Sequence, residues 1–181
     1  MKKKFVLDTS IFVNAQSIRL LGKDPKEAFK NFLTRAENKT SLEFYMPESV
    51  KEELLKFIGP QKLEPIRCLP PRRYELKVPA LFLYELVEEM RLRINKGLRV
   101  AEKFTRKAIK NGEESPLIQG LRQEYRVALR EGIIDSKEDM DLLLLSRQLK
   151  AILVSEDEGL KKWASKWGVE CWNLKNLTQI I

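Results

Sequence analysis

Asp8, Asp135, Asp139 and Asp157 are the residues of this chain best suited to chemistry, and each stands where a short apolar run ends or a helix begins. Asp8 closes Phe5-Val6-Leu7, Asp135 and Asp139 follow Ile133-Ile134, and Asp157 comes after Ile152-Leu153-Val154. Unpaired charge at the ends of buried strands is costly unless something cationic gathers it. In an open α/β sheet those strand ends line one crevice. The pattern therefore points to a hard, oxygen-seeking divalent cation, magnesium or manganese. Such an ion on a phosphodiester polarises the phosphoryl oxygen, activates water and stabilises the leaving oxygen. Thr9 and Ser10 beside Asp8 can orient its carboxylate or hold a water.

Composition removes the competing chemistries. There is no histidine among the 181 residues, which excludes Ser-His and Cys-His catalysis and disfavours zinc. The two cysteines, Cys68 and Cys171, have no metal-ligand spacing and read as buried thiols in a reducing compartment. No glycine-rich phosphate loop is present, so use of a nucleoside triphosphate is unsupported. The net charge of +8 suits a polyanionic partner such as nucleic acid. No apolar run approaches the ~20 residues that span a bilayer. Only Phe5-Val6-Leu7 follows the basic amino terminus, too short for an export signal, so the expected location is the cytoplasm, with no membrane partner.

The elements that must position these acids can be read from periodicity and caps. Lys4–Leu7, Leu42–Met46, Ala151–Val154 and Val169–Trp172 read as strands. Thr9 or Ser10 is expected to cap a short helix through Ile11-Phe12-Val13, and Asp24-Pro25 to open another with a face of Ala28, Phe29, Phe32, Leu33 and Ala36. Pro47-Glu48-Ser49 starts a helix through Leu54 that Gly59-Pro60 ends. The proline-rich stretch 60–78 reads as a connector. Alternating strands and helices with short links predict a parallel sheet covered on both faces.

Two long helical runs, from Pro79 to about Lys110 and from Ser115-Pro116 to about Arg130, form an excursion of helix, turn and helix. Leu81, Phe82, Leu83, Tyr84, Leu86 and Val87 crowd its start with more apolar surface than one buried face needs, which favours a contact surface, for another copy of the chain or a long ligand, over a subdomain merely packed on the core. Arg122, Arg126 and Arg130 recur every four residues and make one stripe, suited to bidentate phosphate contact. Asp135 or Ser136 is then expected to cap the helix through Leu142–Leu145. Asp135 and Asp139, four apart, share a helical face, whereas Asp141 lies about 120° away from that pair on a wheel of 3.6 residues per turn. Core packing is the expected role of Trp163, Trp167 and Trp172.

Phe-Val-Leu-Asp-Thr-Ser at residues 5–10, Met-Pro-Glu-Ser-Val-Lys-Glu-Glu-Leu at 46–54 and Ile-Leu-Val-Ser-Glu-Asp at 152–157 together resemble a PIN-domain nuclease. Leu121 to Arg126, then Arg130 to Asp141, with the long hairpin ahead of the acids, resemble the minimal protein-only (RNA-free) ribonuclease P family of the HARP type. The resemblance implies a PIN-like three-layer α/β/α domain over 1–78 and 132–181, with an inserted helical hairpin over 79–131 for oligomerisation and tRNA contact. It further implies a magnesium-dependent endoribonuclease, with manganese an alternative ion, that removes the 5′ leader of precursor tRNA and leaves a 5′-phosphate. Assembly into a large homo-oligomer through the hairpin, without an RNA subunit, is part of the same expectation.

Asp8, Asp139 and Asp157 match the family's metal-binding acids. The family's helical Glu falls at Glu52 or Glu53, with Glu53 before Leu54 the better placed. The expected catalytic set is Asp8, Asp135, Asp139 and Asp157. The expected metal ligands are Asp8, Asp139, Asp141, Asp157 and Glu53, and Arg122, Arg126 and Arg130 are the expected RNA contacts. Two other readings fit the same residues. A toxin-like PIN ribonuclease acting on a different RNA is disfavoured by the long hairpin, and a catalytically silent RNA-binding or assembly protein is disfavoured by the intact acid set.

Overall fold

The computed structural model describes residues 2–111, 114–130, 134 and 136–181, the side chains of 110, 111, 114, 115 and 130 excepted. Asp135 thus lies outside the described residues, as does the side chain of Arg130. The chain divides into two compact units, residues 1–77 with 134–181, and residues 78–133.

The first unit is an α/β domain built on one parallel sheet. Its strands are β1 (Lys3–Leu7), β2 (Leu42–Met46), β3 (Ile66–Cys68), β4 (Ile152–Val154) and β5 (Cys171–Trp172), in the order β3-β2-β1-β4-β5. Side chains alternate across a sheet, so Phe5 and Leu7 face one side and Val6 the other, yet all three are fully buried. Both faces of β1 are therefore covered, as a parallel sheet requires. Phe5 stands in register with Phe44 and with Ile152. Its ring stacks on Phe44 at 5.8 Å, and Phe44 meets Phe32 edge-on at 5.3 Å.

Phe32 belongs to α3 (Pro25–Glu37), which begins as its sequence dictates. The Asp24 carboxylate accepts from Glu27 N–H at 2.8 Å, and the Glu27 carboxylate accepts from Lys23 N–H at 2.9 Å. Two otherwise orphaned donors are satisfied, worth roughly 1 kcal/mol for the cap alone. Ala28, Phe29, Phe32 and Ala36 form its buried face, and Phe29 and Phe32 both pack edge-on against Phe12 of α1 (Ser10–Val13). Between α1 and α3 lies α2 (Ala15–Leu21), which the helical periodicity did not announce and which Asn14 caps through Gln16 N–H.

Three further expectations need correction. The stretch 60–78 is more than a connector, because Ile66–Cys68 pairs with Phe44–Met46 and forms the sheet's edge. Neither Thr9 nor Ser10 supplies a side-chain cap to α1; both hydroxyls are used elsewhere. Cys68 and Cys171 are free but only half-buried. Burial still pushes the Cys171 thiol up to about 11, far from thiolate chemistry.

The remaining elements of this unit are α4 (Glu48–Ile58), α7 (Lys137–Leu149), α8 (Glu158–Lys166) and α9 (Leu174–Thr178). Leu142–Leu145 of α7 are buried, as are Trp163 and Trp167 at α8, in keeping with core packing. Trp172 on the edge strand is half-buried, with the Lys3 ammonium 4.0 Å above its ring.

The second unit pairs α5 (Ala80–Asn111) with α6 (Glu114–Arg130). Two glycines let the helices approach closely. A Cβ at Gly97 would come within 2.9 Å of the Tyr125 ring, and one at Gly120 within 2.9 Å of the Phe104 ring. Arg93 is buried and donates to the Ala128 and Leu129 carbonyls at 3.5 and 3.4 Å. A cation there complements the negative end of α6.

Candidate active site

The sheet register brings the site together. β1 and β4 are hydrogen-bonded neighbours, with Leu7 opposite Val154, so the residues that follow each strand emerge side by side. Asp8 N–H donates to the Val154 carbonyl at 3.0 Å, extending the ladder by one step. The Asp8 side chain is buried and held by two hydroxyls on the same oxygen. Ser10 Oγ donates to Asp8 Oδ2 at 2.5 Å, and Ser155 Oγ donates to it at 2.6 Å. Each serine is itself fixed from behind, Ser10 Oγ by Glu156 N–H and Ser155 Oγ by Asp157 N–H, both at 2.9 Å. Two loops are thus tied through one carboxylate.

Burial pushes the Asp8 carboxyl above its ordinary range. The hydrogen bonds from Ser10 and Ser155 pull it back, and the negative charge of Asp157 raises it further. Desolvation and like charge both disfavour the ionised form, the situation that a bound cation relieves.

Asp8 opens onto a cleft of about 540 Å³ lined by six acids, Asp8, Glu52, Glu53, Glu138, Asp139 and Asp157, and two lysines, Lys56 and Lys137. Several of these acids are placed by an identifiable hydrogen bond. Asp157 caps α8, its Oδ1 accepting from Leu160 N–H at 2.8 Å. Ser136 caps α7 by accepting from Asp139 N–H at 3.0 Å, which sets Asp139 in the first turn of that helix. Glu52 and Glu53 ride on α4, and Thr9 Oγ1 donates to Glu53 Oε2 at 3.1 Å. Of the two roles that sequence offers the Thr9 and Ser10 hydroxyls, helix capping gives way to holding carboxylates, Ser10 that of Asp8 as expected and Thr9 that of Glu53.

Asp141 is placed differently from the other expected ligands. It is absent from the cleft lining, 2 % exposed, and its carboxylate accepts from the Arg73 guanidinium and from Ser49 Oγ. An oxygen pair already neutralised by a bidentate guanidinium is poorly disposed to a second cation, so Asp141 stands apart from the acids that line the cleft. Glu156, next to Asp157, also turns elsewhere: its Oε1 accepts from Leu174 N–H at 2.7 Å.

The donor set fits a hard divalent ion in kind, being all oxygen, with no histidine in the chain and with more acid than base in the cleft. Among the described residues, no three acid side chains stand close enough to hold an ion without moving. Arg122 and Arg126 lie one turn apart on α6 of the second unit. Sequence reasoning did not find the parts played by Ser155, Ser49, Arg73, Glu138, Lys56 and Lys137. Only Ser155, inside the quoted Ile-Leu-Val-Ser-Glu-Asp motif, carried a usable signal, as a hydroxyl two residues before an acid.

A parallel sheet whose strand ends face an acidic cleft accords with a nuclease of the PIN class, and the PINc domain ribonuclease family model matches residues 4–181. The chain belongs to this family of endoribonucleases. Among its relatives are proteins named RNA-free ribonuclease P: one from Thermodesulfovibrio yellowstonii is 47% identical over 93% of this chain and 88% of its own length. One from Thermococcus kodakarensis is 48% identical over 92% of this chain and 88% of its own. A third, from Nitrosococcus oceani, is 41% identical over 99% of this chain and 94% of its own. Among the described residues no helix is long and apolar enough to cross a membrane.

Proposed function

We propose that this chain is an RNA-free ribonuclease P that removes the 5′ leader from precursor tRNA by divalent-metal-dependent hydrolysis. The observation that carries the reading is the Asp8 clamp. A buried carboxylate is held ionisable by two serines at the head of a cleft with six acids, in a chain whose relatives bear that name over nearly their full length.

Asp8, Asp139 and Asp157, with Glu53 completing the set, would hold the ion, and Asp135 is the remaining candidate. When bound, magnesium, or manganese in its place, supplies charge neutralisation at the scissile phosphate and activation of the attacking water. The protein's own share is placement. Ser10 and Ser155 fix one oxygen of Asp8, Thr9 steers Glu53, and the helix caps fix Asp139 and Asp157. Lys56 and Lys137 on the cleft wall offer cations to the phosphate oxygens of the RNA. Water adds to phosphorus as the bond to the leader's 3′ oxygen breaks, which leaves a 5′-phosphate on the tRNA and a 3′-hydroxyl on the leader.

The hairpin serves two ends in this reading. Leu81, Leu83, Tyr84 and Val87 are all more than half exposed at the start of α5, and such apolar surface supports self-association into a homo-oligomer. Arg122 and Arg126, with Arg130, supply phosphate contacts.

Incubation with 5′-labelled precursor tRNA, in magnesium or in chelator, tests the reading beside Asp8→Asn and Asp139→Asn. Release of an intact leader that needs magnesium and is abolished by both substitutions is expected. Leader release that survives chelation or either substitution would overturn the metal assignment. Cuts elsewhere in the RNA would identify a toxin-like ribonuclease, and absence of any cleavage a silent scaffold.

A further inference from the structure

Arg73 lies in the proline-rich stretch after β3, where neither composition nor motif suggests a role in the site. Its guanidinium makes three hydrogen bonds to Asp141: Nε to Oδ1 at 3.0 Å, Nη2 to Oδ1 at 2.9 Å and Nη2 to Oδ2 at 2.6 Å. Asp141 is 2 % exposed, so Arg73 caps a buried charge from the solvent side. Asp141 Oδ2 also accepts from Ser49 Oγ at 2.7 Å. That last bond joins α7 to α4.

Its position along the two helices matters. Ser49 stands one turn before Glu52 and Glu53 on α4, and Asp141 stands one turn after Glu138 on α7. Residues one turn apart share a helical face. The Ser49–Asp141 bond therefore staples two faces whose neighbouring turns carry cleft acids. Those acids repel one another, and their repulsion acts to spread α4 from α7. An ionised Asp141 without Arg73 would add to that repulsion; with Arg73 it becomes a neutral, hydrogen-bonded tie.

We infer that Arg73 is a positioning residue of the metal site, acting through Asp141 and Ser49 to set the spacing of the acid-bearing turns of α4 and α7. This rests on the metal-dependent reading above. It makes a prediction whose sign runs against simple electrostatics. Removing a nearby positive charge should, by Coulomb attraction alone, tighten cation binding. Loss of the tie should weaken it.

Mn2+ binding to the full chain, followed by calorimetry or by the paramagnetic signal of the free ion without RNA, separates the two. Arg73→Ala is expected to weaken Mn2+ binding by about 10-fold to 100-fold, the usual effect of removing a partner that orients a ligand. Arg73→Lys keeps the charge without the fork and should recover part of that loss. Arg73→Leu combined with Asp141→Asn removes both charges while keeping a hydrogen-bonding group for Ser49. It guards against misfolding from an unpaired Asp141 and, because the Ser49 bond is kept, it should bind Mn2+ more tightly than Arg73→Ala. In cleavage assays the Arg73→Ala defect should shrink as metal concentration rises, with KM for RNA unchanged.

Unchanged or tighter Mn2+ binding by Arg73→Ala, with normal wild-type binding, would overturn the inference; tighter binding would mark Asp141 as a ligand freed from a competitor. A change in KM for RNA alone would overturn it too, by making Arg73 a substrate contact. A wild-type chain that binds no Mn2+ would overturn the metal reading beneath the inference and the inference with it.

Discussion

Ser155 donates a 2.6 Å hydrogen bond to Asp8 across 147 residues of sequence. The bond exists because β1 and β4 are adjacent parallel strands in register, and it converts a strand pairing into a fixed carboxylate. Replacing Ser155 with Ala leaves Asp8 one donor short in a buried site. A loss of about 10-fold to 100-fold in activity at limiting magnesium is expected, with Ser10→Ala similar. The check is a magnesium titration of leader release. A normal titration curve for both variants would show that the clamp does not matter to the ion.

Asp8 also sets a pH dependence of stability. Burial, and then the charge of Asp157, raise its folded value above the ordinary carboxylate value, although Ser10 and Ser155 oppose the shift. Between those two values the folded chain binds the extra proton, so metal-free stability is greatest below the unfolded value and is lost as pH rises through the folded one. Asp8→Asn removes this loss. In chelator its melting temperature should exceed that of wild type near about pH 7.5, and the gap should close towards about pH 4. Thermal melts across that range test it, and a gap independent of pH would refute it.

Added magnesium should reverse the ordering. An ion that binds only the folded state at about 100 times its Kd stabilises by roughly 2.7 kcal/mol. Wild type should gain a raised melting temperature on magnesium addition and Asp8→Asn little, as scanning calorimetry with and without the ion would reveal.

The arginines of α6 predict a different signature. If Arg122 and Arg126 neutralise phosphates, the double Ala variant weakens RNA binding most at low salt, and its logarithmic salt slope falls by about 1 to 2. The rate at saturating RNA should hold. Binding isotherms over a salt series decide the matter, since an unchanged slope would remove both residues from the interface.

Leu81 and Tyr84 share one face of α5 and are each 67% exposed. Glu at both positions should break the proposed assembly down to smaller species while leaving the helical signal intact. Light scattering gives the mass, and an unaltered mass would place the contact elsewhere.

The sequence carried much of the sheet and little of the site's internal wiring. Asp24-Pro25 and Leu42–Met46 announced themselves because capping chemistry and apolar runs are local signals. β3 did not, since three residues between prolines are too few to show alternation. Asp8, Asp139 and Asp157 stood out as acids at strand ends and helix starts, and Glu53 through its motif. Thr9 and Ser10 carried two readings at once, because a hydroxyl after a strand suits a helix cap and a carboxylate clamp equally well. Arg73 and Asp141 are 68 positions apart, and no local rule pairs an exposed arginine in a proline-rich stretch with an acid inside a helix. The helical position of Asp141 was evident for the same reason that its partner was not: capping and spacing are local, and the pairing with Arg73 is not.

The placement of β4 beside β1 has a consequence for synthesis. Asp8 is made early and Ser155 and Asp157 late, so a growing chain on the ribosome has no assembled clamp until β4 has emerged and paired. The carboxylate clamp on which the proposed chemistry depends is thereby withheld, by topology alone, until most of the chain has been made.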